Sequence, residues 1–342
     1  MRVWFVSANA YLPDSTSGRE SSINALALRL IARGVAVAVF AAKPGGAAAK
    51  LDATFTTDHD LGYPVYRAAQ PLAAYRAALD AFQPDTAIIG FGPSSRSFVA
   101  LTVDAGVKAA IHATSVAPYD FADHPLGRPG VGVIANSRFT ARRLETLLGT
   151  APPVVPPLIE PERYRVEPNG DSVVLINPTL VKGVETFFRL AAARPDIPFL
   201  AVESWTIGDA WRTVLMNRAR ALDNVALWPA MDDMREVYAR ARLLLVPSTL
   251  EETFGRVVAE AQVSGIPALV SDRGALPETL GGGGLVVTLD AGIAAWSEAL
   301  LRLWSSPAIY NQCAASALAE STRPERQPER IADRFIDCLG RF

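Results

Sequence analysis

Glu252 and Glu260 flank a Phe254-Gly255 step in the run Val246-Pro-Ser-Thr-Leu-Glu-Glu-Thr-Phe-Gly-Arg-Val-Val-Ala-Glu-Ala261, and Gly265-Ile-Pro and Gly274-Ala-Leu-Pro-Glu278 follow. The pattern predicts a buried strand over 242–247, then a polar loop with two carboxylates, then a helix starting near Gly255. Backbone N–H groups at Gly255, Arg256 and Val257, with the helix dipole behind them, suit an anion such as a diphosphate. Glu260 falls roughly 7–8 Å along that helix at 1.5 Å per residue. A carboxylate only accepts hydrogen bonds, so one there can take both hydroxyls of a ribose diol. Glu-x7-Glu spacing alone is common in helical proteins; the glycines and prolines around it make the passage specific.

Other side chains with chemical potential sit at expected strand ends. Lys182-Gly183 follows an apolar run over 172–176, and Lys182 is one of only four lysines, with 43, 50 and 108. Ser17-Gly18-Arg19-Glu20 opens a helical pattern, His112 closes a strand over 107–112, and Trp228-Pro229-Ala-Met231 follows a strand over 224–228. Ser137 is expected to cap a helix first and to be a site residue second. His124 is expected in a loop, and His59 lies in a polar stretch.

Those residues need a scaffold that delivers them to one edge. Short apolar runs at 2–8, 35–41, 86–90, 107–112 and 131–135 alternate with helical patterns at 20–33, 71–82 and 137–148. Continuous apolar strands of this kind indicate a parallel sheet covered on both faces. Ala151-Pro-Pro-Val-Val-Pro-Pro-Leu158 can be neither helix nor central strand, which makes it a linker. The α/β pattern then restarts, with strands at 172–176, 197–203, 224–228, 242–247 and 267–271 and helices from about 183 and near 208–221. Two α/β domains are expected, 1–158 and 159–322, with 323–342 a C-terminal helix crossing back to the first. Ligands of such sheets lie beyond the C-terminal strand ends.

Composition narrows the classes. The 342 residues carry 33 basic and 35 acidic side chains, a formal charge of −2, without the clustered basic face of a nucleic-acid binder. Two cysteines cannot build a disulfide framework or a Cys-rich zinc site. No apolar stretch approaches the 18 or so residues of a membrane span, and the N-terminus enters a strand without a leader pattern, so a cytoplasmic protein without integral membrane association is expected. No Asp-x-Asp or His-rich metal motif occurs, and no Gly-x-Gly-x-x-Gly follows 2–8 or 172–176, which disfavours a nicotinamide dehydrogenase.

With Pro-Ser…Glu-x-Phe-Gly…Glu-Ala…Gly-x-Pro…Gly-x-x-Pro-Glu in place, the sequence resembles the retaining, nucleotide-sugar-dependent glycosyltransferases of family 4, closely over 224–288 and more loosely elsewhere. The resemblance implies the GT-B fold, two facing Rossmann-like domains with a parallel sheet in each and a cleft between them, the second binding the donor. It implies that Glu260 meets the ribose and Glu252 the donor-sugar hydroxyls, with Thr253, Phe254, Gly255, Arg256 and Val257 along sugar and phosphate. Lys182 would meet the diphosphate, His112 the donor sugar, Gly18 the donor phosphate or acceptor, and Trp228, Pro229 and Met231 the base. The family's Gly-Arg upstream of the lysine is replaced here by Asn177-Pro178, so one phosphate-facing cation is missing and Arg19 is the expected substitute.

The implied reaction moves a sugar from a nucleoside diphosphate sugar, UDP by family frequency, to an acceptor hydroxyl, with no metal or other cofactor. The Arg- and Ala-rich composition and short chain suit antibiotic or other natural-product assembly, and the chain resembles transferases of orthosomycin biosynthesis. Glycolipid or polysaccharide assembly is the alternative acceptor class. Rival activities are a GT-B sugar-nucleotide epimerase, a pyridoxal-dependent phosphorylase and a non-catalytic nucleotide-sugar-binding protein.

Overall fold

The computed structural model describes residues 1–16, 18–44, 54–92, 94–116, 129–203 and 207–342. The chain divides into two compact units, Met1–Leu158 with Pro328–Phe342, and Ile159–Gln327.

In the first unit, β1 (Arg2–Val6), β2 (Ala36–Ala42), β3 (Thr56–Asp58), β4 (Val65–Ala68), β5 (Thr86–Gly90), β6 (Lys108–Ala113) and β7 (Val131–Ala135) form one sheet in the order β3-β4-β2-β1-β5-β6-β7. Every described pairing is parallel except β3 with β4. Val3, Trp4, Phe5 and Val6 are all buried because helices cover both faces. Helices α1 (Gly18–Ile31), α2 (Pro71–Phe82), α3 (Ser95–Asp104) and α4 (Arg138–Leu148) connect the strands. Ser137 caps α4 by accepting from the Thr140 N–H at 3.0 Å, as its sequence context predicts.

The proline-rich stretch forms no named strand, but Val154 pairs as a single parallel bridge with Ala135 at the β7 edge. An edge tolerates prolines because only the intervening N–H groups must bond, as that of Val155 does to the Ala135 carbonyl. Val155 and Leu158 are buried in the first unit's core, and Ile159 in the second's.

The second unit carries β8 (Ser172–Ile176), β9 (Phe199–Val202), β10 (Val225–Trp228), β11 (Ala241–Val246), β12 (Ala268–Ser271) and β13 (Gly284–Val287), parallel throughout in the order β10-β9-β8-β11-β12-β13. Its helices are α5 (Val184–Ala193), α6 (Asp209–Arg220), α7 (Met234–Arg240), α8 (Arg256–Gln262), α9 (Leu276–Leu280), α10 (Gly292–Ser305) and α11 (Pro307–Ser321). Chain order reverses between β8 and β11 here and between β1 and β5 in the first unit, and each reversal opens a crevice at the strand C-termini.

The last helix, α12 (Pro328–Leu339), belongs to the first unit. Ile331, Phe335, Cys338 and Leu339 recur at helical spacing and are buried, and Phe335 stacks on Phe5 of β1 with centroids 5.8 Å apart. Arg33 adds exposed ion pairs to Glu329 and Asp333, which screening leaves of small worth beside the apolar seam. Phe335→Ala should therefore destabilise the first unit by about 3–5 kcal/mol, read from the urea unfolding midpoint.

Candidate functional site

The reversal between β8 and β11 brings two loops together. After β8 the chain turns at Asn177, passes a single 3-10 turn over Leu180–Lys182 and enters α5 through Gly183. After β11 it runs through Pro247 and Ser248 to Glu252 and then α8. The Thr249 N–H donates to the Val181 carbonyl at 2.9 Å, which ties the loops directly. Gly183 has φ +81°, and a β-carbon there would lie 2.0 Å from the Pro247 carbonyl oxygen. Only glycine combines that backbone with that approach.

Lys182 and Glu252 consequently meet. The Lys182 Nζ donates to Glu252 Oε1 at 2.5 Å, and Ser248 Oγ donates to the same oxygen at 2.8 Å. The side chains are 23% and 13% exposed, so the pair is sheltered yet reachable from solvent. Ser248 is fully buried, and its carbonyl accepts from Ser271 Oγ at 2.7 Å. The Glu252 backbone is clamped from the other side: its carbonyl accepts from the Ala275 N–H at 2.7 Å, and a β-carbon on Gly274, at φ +65°, would lie 2.1 Å from that oxygen. The Gly-x-x-Pro-Glu element thus serves by close backbone approach.

Glu260 lies on α8, which spans seven residues and has no side-chain N-cap. It is 5% exposed, and both carboxylate oxygens carry protein donors, Arg256 Nε on Oε1 at 2.6 Å and Tyr238 Oη on Oε2 at 2.7 Å. Arg256 Nη2 also donates to Tyr164 Oη at 2.7 Å. Burial alone would lower the Arg256 guanidinium, but Glu260 and Tyr164 outweigh it and raise it; burial and the Glu260 charge push Tyr238 well up. Arg256 and the two tyrosines thus keep their protons, and neither tyrosine would be read from local sequence.

The remaining expected residues of this unit occupy the same C-terminal ends. Phe254 and Gly255 are buried, Thr253, Arg256 and Val257 partly so. The Thr279 hydroxyl donates to the Phe254 carbonyl. Trp228, Met231 and Val257 pack half-buried against the core under β8 and β11, while Pro229 is exposed. Asn177 takes a left-handed backbone, φ 63°, with its N–H on the Val202 carbonyl at 2.6 Å. It is 2% exposed, and among the described residues neither end of its amide has a partner. Pro178, where the resembled family has arginine, accepts at its carbonyl from Trp211 Nε1 at 3.0 Å.

Gly18, Arg19 and His112 lie in the first unit, at its own reversal. Gly18 begins α1 and is exposed. Arg19 spans the crevice, donating from Nη2 to Ser7 Oγ after β1 at 3.1 Å and from Nη1 to the Phe91 carbonyl after β5 at 3.4 Å. Its Nε and Nη2 also hold Glu20 Oε1 at 3.0 and 2.9 Å, and Glu20 is 2% exposed. The arginine expected to stand in as a phosphate cation is therefore already matched to a buried carboxylate. His112 is the penultimate residue of β6, which runs one residue beyond the expected end to Ala113; its burial, and then the Arg19 charge, lower its pKa to about 4. His124 lies outside the described residues. Among the described residues no group of three or more His, Cys, Asp or Glu is arranged to hold a metal ion, and no helix is long and apolar enough to cross a membrane.

Residues 176–306 match the family of group 1 glycosyl transferases. The whole chain superposes on solved glycosyltransferase structures. The fold is GT-B. A sucrose-phosphate synthase from Thermosynechococcus elongatus aligns at TM-score 0.79 with 18% identity, over 99% of this chain and 98% of that one. Anabaena Alr3699/HepE in complex with UDP-glucose gives 0.79 with 16% identity over 100% of both chains, and a glycosyltransferase from Rickettsia africae ESF-5 gives 0.78 with 12% over 99% and 98%. No curated protein sequence matches the chain significantly. At these identities the likeness concerns the fold, here two Rossmann-like units each with a parallel sheet.

Two outcomes follow from this geometry. Gly183→Ala should cost about 2 kcal/mol or more, since it adds a strained backbone to a direct clash, and equilibrium urea unfolding will show it. His112 should stay neutral in the folded protein until the pH nears 4, while an unfolded histidine takes its proton near 6.5. The unfolded chain then binds more protons between those values, so stability falls as pH drops through that window. An imidazole NMR titration gives the midpoint, and His112→Asn should flatten the stability profile between pH 6.5 and 4.

Proposed function

We propose that the protein is a retaining glycosyltransferase that moves a sugar from a nucleoside diphosphate sugar, with UDP the expected nucleotide, to an acceptor hydroxyl. The observation that carries this reading is the meeting of Lys182 and Glu252 at the reversal of the second sheet, within the segment that matches group 1 glycosyl transferases. A cation beside a clamped carboxylate, at a crevice where ligands of such sheets bind, suits a substrate with a diphosphate at one end and hydroxyls at the other.

In this reading the bond between the sugar anomeric carbon and the diphosphate oxygen breaks, and a bond from the acceptor oxygen to that carbon forms on the same face. The acceptor proton passes to the departing diphosphate oxygen. Lys182 offsets the charge growing on the diphosphate, with the start of α8 facing the same phosphates. Glu252, fixed by Ser248 and by the Gly274–Ala275 backbone, orients the sugar through its hydroxyls. Glu260, held by Arg256 and Tyr238, receives the ribose, and Trp228, Pro229 and Met231 flank the base. His112 and Gly18 stand at the first unit's own reversal, and no metal is required. Cytoplasmic synthesis of a natural product or an oligosaccharide intermediate, with orthosomycin-type antibiotics the particular case, is the proposed setting.

Lys182→Ala and Glu252→Ala should each lower kcat by about 10²-fold or more, comparable to deleting one donor to a developing anion. Thermal-shift measurements with UDP, GDP and ADP identify the nucleotide, since specific binding raises the melting temperature. Wild-type rates in both variants would refute the assignment; donor binding with neither hydrolysis nor transfer would make the protein a binding module.

A further inference from the structure

The two groups assigned to opposite ends of the donor are paired with each other. Lys182 Nζ and Glu252 Oε1 are 2.5 Å apart, and the second donor to that oxygen, Ser248, is fully buried and anchored by Ser271. A diphosphate that takes the ammonium must separate it from Glu252, and its negative charge then stands beside a carboxylate that has lost its cation. That cost is offset when the ligand also brings hydroxyl donors for the carboxylate. The donor sugar supplies them at Glu252; a free nucleoside diphosphate, whose ribose hydroxyls are assigned to Glu260, does not.

We propose that the Lys182–Glu252 pair is a specificity device that exchanges partners on binding: the intact nucleotide sugar replaces both ends of the pair, whereas the nucleoside diphosphate product replaces one and leaves the other uncompensated. The pair therefore favours donor over product and hastens product departure. The exposure of both side chains, 23% and 13%, allows the exchange without unfolding either loop. This inference rests on the nucleotide-sugar reading above, and it assigns Glu252 a part in rejecting product that its contact with the sugar would not require.

The test is calorimetric titration of the full chain with UDP and with UDP-glucose, or with the GDP or ADP pair if thermal shift selects it. Glu252→Gln keeps the shape but removes the charge, so it should bind the free diphosphate on the order of tenfold tighter, the effect of about 1.4 kcal/mol, while the sugar nucleotide gains nothing or weakens. Glu252→Ala must move the free diphosphate the same way, which keeps the test valid should either variant fold poorly. In a Lys182→Met background the gain from Glu252→Gln should shrink below about threefold, because no pair remains to be broken. Unchanged or weaker UDP binding by both Glu252 variants would overturn the inference. So would a full gain in the Lys182→Met background, which would mean simple repulsion between Glu252 and the diphosphate. If the wild-type protein binds none of the nucleotides or nucleotide sugars, the nucleotide-sugar reading itself falls, and the exchange with it.

Discussion

Gly183 presses against the Pro247 carbonyl so closely that a methyl group could not enter, and the arrangement at the head of the second sheet depends on that contact. Chain order reverses between β8 and β11, so the loops leaving these neighbouring strands would ordinarily diverge to helices on opposite faces. Close approach at Gly183 and the bond from Thr249 to Val181 hold them together instead. The cation of one loop is thereby delivered to the carboxylate of the other. A half-sheltered pair of this kind contributes little net stability, so its importance lies in what it positions.

The first unit meets the same topological problem differently. At the reversal between β1 and β5 a single arginine spans the crevice, bonded to Ser7 on one side and Phe91 on the other. Its carboxylate partner Glu20 has a side chain only 3% exposed, against 13% for Glu252. Stripping a deeply buried carboxylate of its cation costs several kcal/mol, because water cannot replace the lost partner. Glu252 retains a path to solvent. The Arg19–Glu20 pair is thus the more deeply enclosed of the two, and the Lys182–Glu252 pair the more open.

How much of this was legible in the sequence depended on whether a residue's partners lie nearby in the chain. β1, β5, β7, β8 and β11 read clearly because burial on both faces makes them unbroken apolar runs. β4 escaped because Arg67 interrupts it, a buried arginine matched to Asp58 and Asp14. β3 is a polar edge of Thr-Thr-Asp, and β13 opens with a glycine. Lys182, Glu252 and Glu260 could be picked out by type, spacing and motif. Ser248 was visible only as part of Pro-Ser, and Tyr238 and Tyr164 stand 22 and 92 positions from the residues they hold. Tertiary folding alone sets those contacts.

The network around Glu260 bears on whether the acid could still serve a ribose, given that two side chains already occupy it. An ionised carboxylate offers about four lone-pair directions, and Arg256 and Tyr238 use one on each oxygen. Two directions are left, which matches the two hydroxyls of a vicinal diol. The cation one turn earlier and the tyrosine together fix the carboxylate's position at 5% exposure. A free glutamate would have to be ordered and stripped of water at the moment of binding; here folding has already met both costs. The partners that bury Glu260 are thus the ones that would make it a pre-organised acceptor, with selectivity for two adjacent hydroxyls following from the two positions they leave.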